Sequence, residues 1–497
     1  MLLLKTLIKN KYNFLNLYFI FFILFFTLWI KKEFGGHIHY IEIIYNFYIN
    51  YRGLINSPDI IKYNFFLYVI NLSIFFSIIS FFILEKLKEK KIFKIKLQNK
   101  FLKNTFKIFF LDIKMYSLYS ILFFLVSFKF HYFLLPYVNI FNNFDNDLHY
   151  KFNNDLYFKT EKINLKSPEK FKNLILIYFE SLEYDIENLS NEINENPLKS
   201  LNQLPGKNIY NFKEMTSAQI SIAGIVASQC SVPFHPTIST NLNSFKLKKL
   251  FCLSDVLNQF EYDQYYFMTV NKEFQRTDYF KENHYYKIFD NKEIRKVYSD
   301  AKFGWGEGVH DNIMLDFAKK KILELHENKK RFNIVIKTTD THPPYQKVSE
   351  ICKIDNNMAI KKRSALSFKC ISSFVSNFLD DLSLNGVLDG TTVVIMGDHL
   401  THPNFDDKSI IKKSKNYRNI YFKMNTSNEY KRKKMNHFDV APTILDELGF
   451  LDDHQKRFGF GVSLFQNSEF FDYNKHYNSV MSEKILNDFY LSKLLKN

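Results

Sequence analysis

The chain contains the run Leu174-Ile175-Leu176-Ile177-Tyr178-Phe179, which is apolar throughout and ends at Glu180. An uninterrupted apolar run of this length is typical of a strand that is buried on both faces. Strands of this kind form the middle of mostly parallel sheets that carry helices on both sides. The run therefore predicts an α/β domain with a central, mostly parallel sheet.

Two later runs repeat the pattern. Residues 332–336 lead into Asp340-Thr341-His342, and residues 391–396 lead into Asp398-His399, with helical patterns between the runs. Ligands of α/β sheets bind at the carboxyl ends of the strands. We therefore expect Glu180 and the two later polar segments to share one site.

The side chains at these strand ends favour a divalent metal ion. Zinc and manganese accept carboxylate and imidazole ligands, and Glu180, Asp398 and His399 would supply three of them. An open position would let the metal polarise a nucleophile and a phosphoryl oxygen. Each residue alone could be an ordinary loop carboxylate or a chance Asp-His pair, but three strand-end matches in one chain favour the metal site.

A nucleophile is expected in the segment that follows the first strand. Residues 216–233 carry hydroxyls and small side chains and are typical of a loop that enters a helix. A hydroxyl at a helix N-terminus can attack phosphorus, because the terminal amides favour an anion and a metal lowers the hydroxyl pKa. From spacing alone, a serine here could equally be an N-cap.

Three apolar stretches precede this domain, at about residues 12–30, 63–84 and 115–135. Each has roughly the 20 residues needed to cross a bilayer as a helix. Buried core helices are the alternative, as is a cleaved signal peptide for the first stretch. A further helix around residues 37–51 is left open. Lysines lie before the first stretch and between the second and third, and basic segments stay in the cytoplasm, so the chain after Pro136 is expected outside it.

The formal net charge is +16, which would ordinarily suggest nucleic-acid binding. Much of the basic excess lies beside the apolar stretches, where membrane topology and contact with anionic lipid explain it. Lysine is also common throughout the chain. We therefore expect a membrane partner and no nucleic acid.

These patterns divide the chain into four parts. The predicted boundaries are a transmembrane helical domain at 1–136, a linker at 137–168, a catalytic domain at 169–470 and a C-terminal tail at 471–497. All four cysteines fall in the outer domain, where an even number suggests disulfides. Four cysteines allow three connectivities, and the local pairs Cys230–Cys252 and Cys352–Cys370 are favoured.

Six segments extend the strand-end pattern along most of the domain. They are Ile177-Tyr178-Phe179-Glu180-Ser181-Leu182-Glu183, Ile222-Ala223-Gly224-Ile225-Val226-Ala227-Ser228-Gln229-Cys230, Asp340-Thr341-His342-Pro343-Pro344, Gly397-Asp398-His399, residues 438–449 and residues 459–465. In this order they resemble the membrane-anchored branch of the alkaline-phosphatase/sulfatase superfamily. That branch includes phosphoglycerol transferases, to which the similarity is closest, lipoteichoic acid synthases and phosphoethanolamine transferases.

The resemblance implies a role for each matching residue. Glu180, Ser221, Asp398 and His399 would hold one divalent ion, zinc or manganese. Ser221 would also be the nucleophile, at a position where this branch normally has threonine. His342 would contact the substrate phosphate or protonate the leaving oxygen.

The resemblance also implies two further contacts with substrate, and the motifs that carry them are less specific. Trp305 resembles the tryptophan of a Trp-Gly pair that lines the headgroup pocket of lipoteichoic acid synthases, and Arg418 resembles a basic residue before a late strand. The sulfatase maturation signature is not matched, because His235 stands where it requires arginine. This departure disfavours a formylglycine sulfatase.

The implied reaction transfers a phospho-headgroup from phosphatidylglycerol or phosphatidylethanolamine to an envelope glycan or lipid, with phosphoglycerol favoured. The implied location is the bacterial inner membrane, with several spans and a periplasmic catalytic domain. A phosphoethanolamine transferase, a sulfatase- or phosphatase-type ester hydrolase and an inactive envelope protein are the alternatives.

Overall fold

The computed structural model describes residues 17–18, 20–22, 24–26, 69–89, 156–158, 160, 163–233, 250–274, 277, 280, 284–343, 347–401, 418–452, 456–467 and 472–480. The chain divides into two compact units. One comprises residues 1–36 and 58–149, and the other comprises residues 37–57 and 150–497.

The first unit contains the helix α1, Leu72–Glu89. The ring of Phe76 on this helix lies 5.8 Å from the ring of Phe21 and 5.3 Å from that of Phe25, centroid to centroid. Its neighbour Phe75 is 56% exposed. The described part of this unit therefore combines aromatic packing with outward-facing apolar side chains.

The predicted membrane stretches fall largely outside the described residues. The stretch at 115–135 and the helix around 37–51 lie wholly outside them, and those at 12–30 and 63–84 lie partly outside. Among the described residues, no helix combines the length and the hydropathy that a bilayer crossing requires.

The second unit is built around a seven-stranded sheet. Its described strands, with the short strands of two small sheets, are β1 (Asn173–Phe179), β2 (Lys207–Asn208), β3 (Asn211–Phe212), β4 (Asp263–Met268), β5 (Lys287–Phe289), β6 (Phe332–Lys337), β7 (Thr391–Gly397), β8 (Phe422–Met424), β9 (Lys434–Met435), β10 (Arg457–Phe458) and β11 (Gly461–Val462). The order in the main sheet is β2-β8-β7-β1-β6-β4-β5. Pairings from β7 to β5 are parallel, and those of β8 with β7 and β2 are antiparallel. The predicted mostly parallel sheet is confirmed.

The quoted apolar run forms the central strand because both of its faces are buried. Leu174, Leu176 and Tyr178 belong to one hydrophobic core, whereas Ile175 and the other intervening residues belong to a second core on the opposite face. All six side chains of the run are fully buried. The side-chain period of two in a strand thus divides one apolar run between two cores.

Helices cover both faces of the sheet. The described helices of this unit are α2 (Ser190–Ile193), α3 (Lys199–Gln203), α4 (Ser221–Cys230), α5 (Leu253–Gln259), α6 (Asn291–Arg295), α7 (Asp311–Glu327), α8 (Ile360–Leu384), α9 (Val440–Glu447) and α10 (Tyr473–Val480). Short 3-10 helices are Tyr184–Leu189, Thr216–Ala218, Trp305–Glu307, Glu350–Cys352 and His437–Asp439. Helices α4, α5 and α9 contribute to the first core, and α7 and α8 contribute to the second.

Parts of the predicted linker and tail pack on this unit. Phe158 forms an antiparallel bridge with Gly459, and Leu165 forms one with Leu451. The Tyr473 hydroxyl of α10 donates to Asp439 Oδ2 at 2.6 Å. The boundaries 1–136, 137–168, 169–470 and 471–497 stay predictions.

Two disulfides close local loops of this unit. They join Cys230 to Cys252 and Cys352 to Cys370. Both favoured pairings are therefore confirmed. The first disulfide ties the end of α4 to the residue that precedes α5.

Candidate active site

Three neighbouring strands end at one edge of the sheet. Strand β1 lies between β7 and β6 and pairs in parallel with both, so their carboxyl ends meet. Glu180 follows β1, Asp398 and His399 follow β7, and Lys337 is the last residue of β6. All four are buried. The topology thus gathers two carboxylates, an imidazole and an ammonium at one place.

The three sequence-predicted metal ligands lie together. Glu180, Asp398 and His399 offer ligand atoms that all lie within 4.8 Å of one another. His399 Nε2 is 3.5 Å from Glu180 Oε1 and 3.6 Å from Asp398 Oδ2. Two carboxylates and an imidazole at these separations fit a zinc or manganese ion.

The hydrogen bonds of Asp398 leave one of its oxygens open. Oδ1 accepts from the backbone amides of Ser181 and His399, at 2.9 and 3.0 Å. Oδ2 is buried, and its charged neighbour is the Lys337 ammonium, which lies 3.0 Å away. A carboxylate oxygen that is left free of the backbone amides bound by Oδ1 is able to ligate a metal as well.

The ring of His399 is oriented by the backbone. Its Nδ1 lies 2.8 Å from the carbonyl oxygen of Leu400. Since a carbonyl can only accept, Nδ1 carries the proton and Nε2 is left as the metal-facing nitrogen. Burial lowers the pKa of His399, but the charges of Asp398 and Glu180 outweigh it and raise the pKa overall.

Ser221 stands at the edge of the ligand cluster. Its Oγ donates to Glu180 Oε2 at 3.3 Å and lies 3.4 Å from His399 Nε2. The helix α4 begins at Ser221, and the N-cap is Ile220. The alternative that Ser221 is itself the N-cap is therefore wrong, and its hydroxyl lies at the helix N-terminus beside the candidate ligands.

Lys337 is a member of the site that the sequence analysis missed. Its Nζ donates to Glu180 Oε2 at 2.6 Å and to the Thr338 carbonyl at 2.9 Å, and it lies 3.0 Å from Asp398 Oδ2. Burial lowers the pKa of Lys337, but Asp398 and Glu180 outweigh it and raise the pKa. The available signal was its position, at the end of a mostly apolar run that leads into Asp340.

The neighbouring charges also shift the pKa of Glu180. Burial on its own raises the pKa of this carboxyl, but the positive charges of Lys337 and His399 outweigh it. The pKa of Glu180 is therefore held well below its usual range. Glu180 stays ionised, as a metal ligand must be.

Trp305 and His342 lie face to face. Their ring centroids are 3.9 Å apart at an interplanar angle of 32°. The indole N–H of Trp305 is buried and has no hydrogen-bond partner among the described residues. His342 Nδ1 lies 2.8 Å from the Pro343 carbonyl, so it carries a proton. Burial lowers the pKa of His342, although Glu180 opposes this. The ring is therefore neutral near pH 7, and Nε2 is a potential base.

The Asp340 carboxylate is held by the residues at the start of α7. Its carboxylate lies 3.1 Å from His310 Nδ1 and accepts from the Asp311 amide. The amides of Thr339 and Asp340 in turn donate to the Asp311 carboxylate. This reciprocal contact fixes the loop that carries His342 to the start of α7.

The structure engages Arg418 with protein groups. Its Nε donates to Glu183 Oε2 at 2.6 Å, a second guanidinium nitrogen donates to Glu183 Oε1, and the same nitrogen donates to the Thr401 carbonyl at 2.6 Å. The guanidinium is buried. Arg418 thus connects the segment that follows Glu180 in the chain to the segment that follows His399.

A second group of potential ligands lies at the end of α4. Cys230, Cys252 and His284 are buried and close together. The two sulfurs are joined in a disulfide. They therefore offer no thiolates to a metal.

Comparisons with known proteins cover much of this unit. The Sulfatase family profile matches residues 172–450. Phosphoglycerol transferase I of Escherichia coli O6:K15:H31 is 28% identical over 295 residues, which cover 57% of this chain and 38% of that protein. The Shigella flexneri protein of that name gives the same identity and coverage. The chain thus spans less than half the length of these curated relatives.

The fold also matches a solved structure. The lipoteichoic acid synthase LtaP from Listeria monocytogenes aligns with a TM-score of 0.50 and 19% identity, covering 63% of this chain and 81% of that one. At this identity the likeness concerns the fold alone.

Proposed function

This chain belongs to the sulfatase family, within the sulfatase/alkaline phosphatase superfamily, and we propose that it is a metal-dependent transferase of phospho-headgroups. The proposed donor is a membrane phospholipid, and the proposed acceptor is a cell-envelope glycan or lipid. Phosphoglycerol is the favoured headgroup, because the matched curated relatives are named phosphoglycerol transferase I.

One observation carries the proposal. The Ser221 hydroxyl lies 3.3 Å from Glu180 and 3.4 Å from His399, at the start of a helix. A hydroxyl in that place is both a metal ligand and a nucleophile, and the helix N-terminus favours the anion it becomes. A covalent route through Ser221 follows from this position.

The proposed metal ligands are Glu180, Ser221, Asp398 and His399. Enzymes of this superfamily are metal-dependent, and the oxygen and nitrogen ligands suit zinc or manganese. A bound ion supplies Lewis acidity toward the serine hydroxyl and a phosphoryl oxygen. The short separations between the ligand atoms of Glu180, Asp398 and His399 support such a site.

The proposed reaction has two displacements at phosphorus. In the first, Ser221 Oγ bonds to phosphorus while the bond from phosphorus to the diacylglycerol oxygen breaks, and a proton passes from the serine to that oxygen. In the second, the acceptor hydroxyl oxygen bonds to phosphorus while the bond to Ser221 breaks, and the acceptor proton returns to the serine. Atoms and charges balance over the two steps.

His342 is the proposed proton carrier. In its neutral form Nδ1 donates to the Pro343 carbonyl, which leaves Nε2 able to take a proton from an attacking hydroxyl and pass it to a departing oxygen. Trp305, stacked on this ring with an unpartnered indole N–H, is the proposed headgroup contact. Arg418, whose predicted contact with substrate stays a prediction, is also proposed to position the loop after His399 through its contacts with Glu183 and Thr401.

The proposed location is the bacterial inner membrane, with the catalytic domain on the periplasmic side. Two disulfides in the catalytic unit favour an oxidising compartment. An anchor near the donor lipid would raise its effective concentration at the site. The lysine placement described above gives the same orientation.

The test is to incubate the full chain in detergent with phosphatidylglycerol or phosphatidylethanolamine carrying a fluorescent acyl chain, plus zinc or manganese. We expect diacylglycerol from phosphatidylglycerol and a matching mass adduct on Ser221. Ser221→Ala should lose both, whereas Ser217→Ala, a nearby buried serine, should keep both. Release from phosphatidylethanolamine alone would make it a phosphoethanolamine transferase. No release from either lipid, with turnover of a soluble phosphate or sulfate ester, would identify a hydrolase instead.

A further inference from the structure

Lys337 places a buried ammonium among the candidate metal ligands. Its Nζ donates to Glu180 Oε2 at 2.6 Å and lies 3.0 Å from Asp398 Oδ2. Ser221 Oγ lies 3.3 Å from the same Glu180 oxygen. The ammonium and the candidate nucleophile thus share one carboxylate oxygen.

We propose that Lys337 is a built-in second cation of the active site. Without metal, it offsets one of the two negative charges of Glu180 and Asp398. With metal bound, it adds a positive charge beside the ion that stabilises the anionic phosphodiester. The part of this proposal that concerns the phosphodiester rests on the proposed function, and the part that concerns the metal-free site does not.

The backbone holds Lys337 in the site. It is the last residue of β6 and pairs with Tyr178 of the central strand. A third contact, from Nζ to the Thr338 carbonyl at 2.9 Å, anchors the ammonium locally. Only 8% of its side chain is exposed, so the charge has no short path to solvent. The ammonium therefore stays beside the carboxylates of Glu180 and Asp398 whether or not a metal ion is bound.

Charge counting indicates that the metal-loaded site attracts an anionic substrate. Two carboxylates and one ammonium leave one negative charge in excess, and a divalent ion turns this into one positive charge in excess. A phosphodiester carries one negative charge and makes the site neutral, whereas a phosphomonoester dianion leaves it negative. Opposite charges at contact distance in a buried site interact strongly. Lys337 therefore stabilises a bound phospho-group anion, including the phosphodiester of a phospholipid headgroup.

The proposal predicts two effects of opposite sign. Removing the ammonium takes away its repulsion of a divalent ion, so metal should bind more tightly. The same change removes a charge that stabilises the anionic substrate, so transfer should slow. A merely structural lysine would, on removal, weaken metal binding and transfer together.

The first experiment titrates metal into the metal-stripped full chain at about pH 8 and measures zinc affinity by competition with a chromogenic chelator. Lys337→Met and Lys337→Gln are the neutral variants. Both should bind zinc about tenfold or more tightly than the parent chain. Lys423→Met is the matched control, because Lys423 is also buried on the main sheet but its Nζ bonds to the carbonyls of Leu201 and Asn202. It should leave zinc affinity unchanged. Equal or weaker zinc binding in both Lys337 variants would overturn the proposal.

The second experiment measures diacylglycerol release by the same variants at saturating metal. Transfer should fall at least tenfold in the Lys337 variants and should stay at the parent level in Lys423→Met. Tighter zinc binding with unchanged transfer would reject the part of the proposal that concerns the substrate. If the parent chain itself releases no diacylglycerol, the proposed function fails, while the zinc titration still decides the role of Lys337 at the metal site.

Discussion

Gly224 of α4 lies against the main-chain carbonyl of Asp398, so closely that a Cβ built on the glycine would stand 2.0 Å from that oxygen. The contact joins the helix that begins with Ser221 to the strand end that carries two candidate ligands. The spacing between the proposed nucleophile and the candidate ligands is therefore set by a direct approach of the two backbones.

Gly224→Ala should separate these two elements. By helix propensity alone, alanine would stabilise α4 by about 1 kcal/mol. The overlap with Asp398 should reverse that sign and cost about 1–3 kcal/mol, as overpacking does. Urea unfolding measures the change, and zinc affinity should fall with it. Ala223→Gly is the control, since it weakens the helix without adding an atom. A more stable Gly224→Ala protein with unchanged zinc affinity would contradict the expectation.

Ser221→Ala should separate chemistry from metal binding. The variant should lose the covalent adduct and slow headgroup transfer by about a thousandfold or more. Glu180, Asp398 and His399 remain, so zinc should still bind, with a loss of about tenfold. Ser221→Thr keeps a hydroxyl at the helix start and should keep transfer. Adduct mass, diacylglycerol release and metal content are the measurements. Transfer by Ser221→Ala at the parent rate would rule out the serine route.

The main sheet and the ligand cluster could be predicted from local patterns. The run ending at Glu180 is apolar on both faces because both faces are buried, so its sequence alone identified a central strand. Asp398 and His399 follow a second such run directly, and parallel topology brings strand ends together. Each of these inferences needed only neighbouring residues and the geometry of parallel sheets.

The remaining site features depend on contacts between distant residues. Lys337 is one of 67 lysines and arginines, so its type gave no signal until the sheet placed it beside Glu180. Arg418 and its partner Glu183 are 235 residues apart. A basic residue before a late strand therefore predicted a substrate contact, whereas the structure pairs it with a buried carboxylate.

Removing one partner of the Glu183–Arg418 ion pair should destabilise the folded protein. Both side chains are buried, so Arg418→Met leaves an uncompensated carboxylate and should lower the free energy of unfolding by about 3–5 kcal/mol. The double variant Glu183→Gln with Arg418→Met should recover part of this loss, because no lone charge remains. Urea unfolding of both singles and the double measures the coupling. Additive single losses would show that the pair is not coupled.

His476 should make stability depend on pH. Its Nε2 lies 2.8 Å from the Phe460 carbonyl, so this nitrogen donates. Burial lowers the pKa of His476, despite the hydrogen bond to Phe460, which raises it; the nearby charges are Arg457, Asp439 and Arg432.

The sign follows from proton linkage. In the unfolded chain, His476 has a pKa of about 6.5. Just below that pH it binds a proton in the unfolded chain but not in the folded one. The stabilisation is complete above that value and is lost as pH falls toward the lowered folded pKa. We therefore expect the free energy of unfolding of the parent chain to fall from about pH 7.5 to about pH 5. His476→Gln should show a smaller fall, because its side chain can donate to Phe460 at either pH and cannot titrate. Urea unfolding at both pH values gives the two slopes, and equal slopes would mean that other groups carry the acid sensitivity.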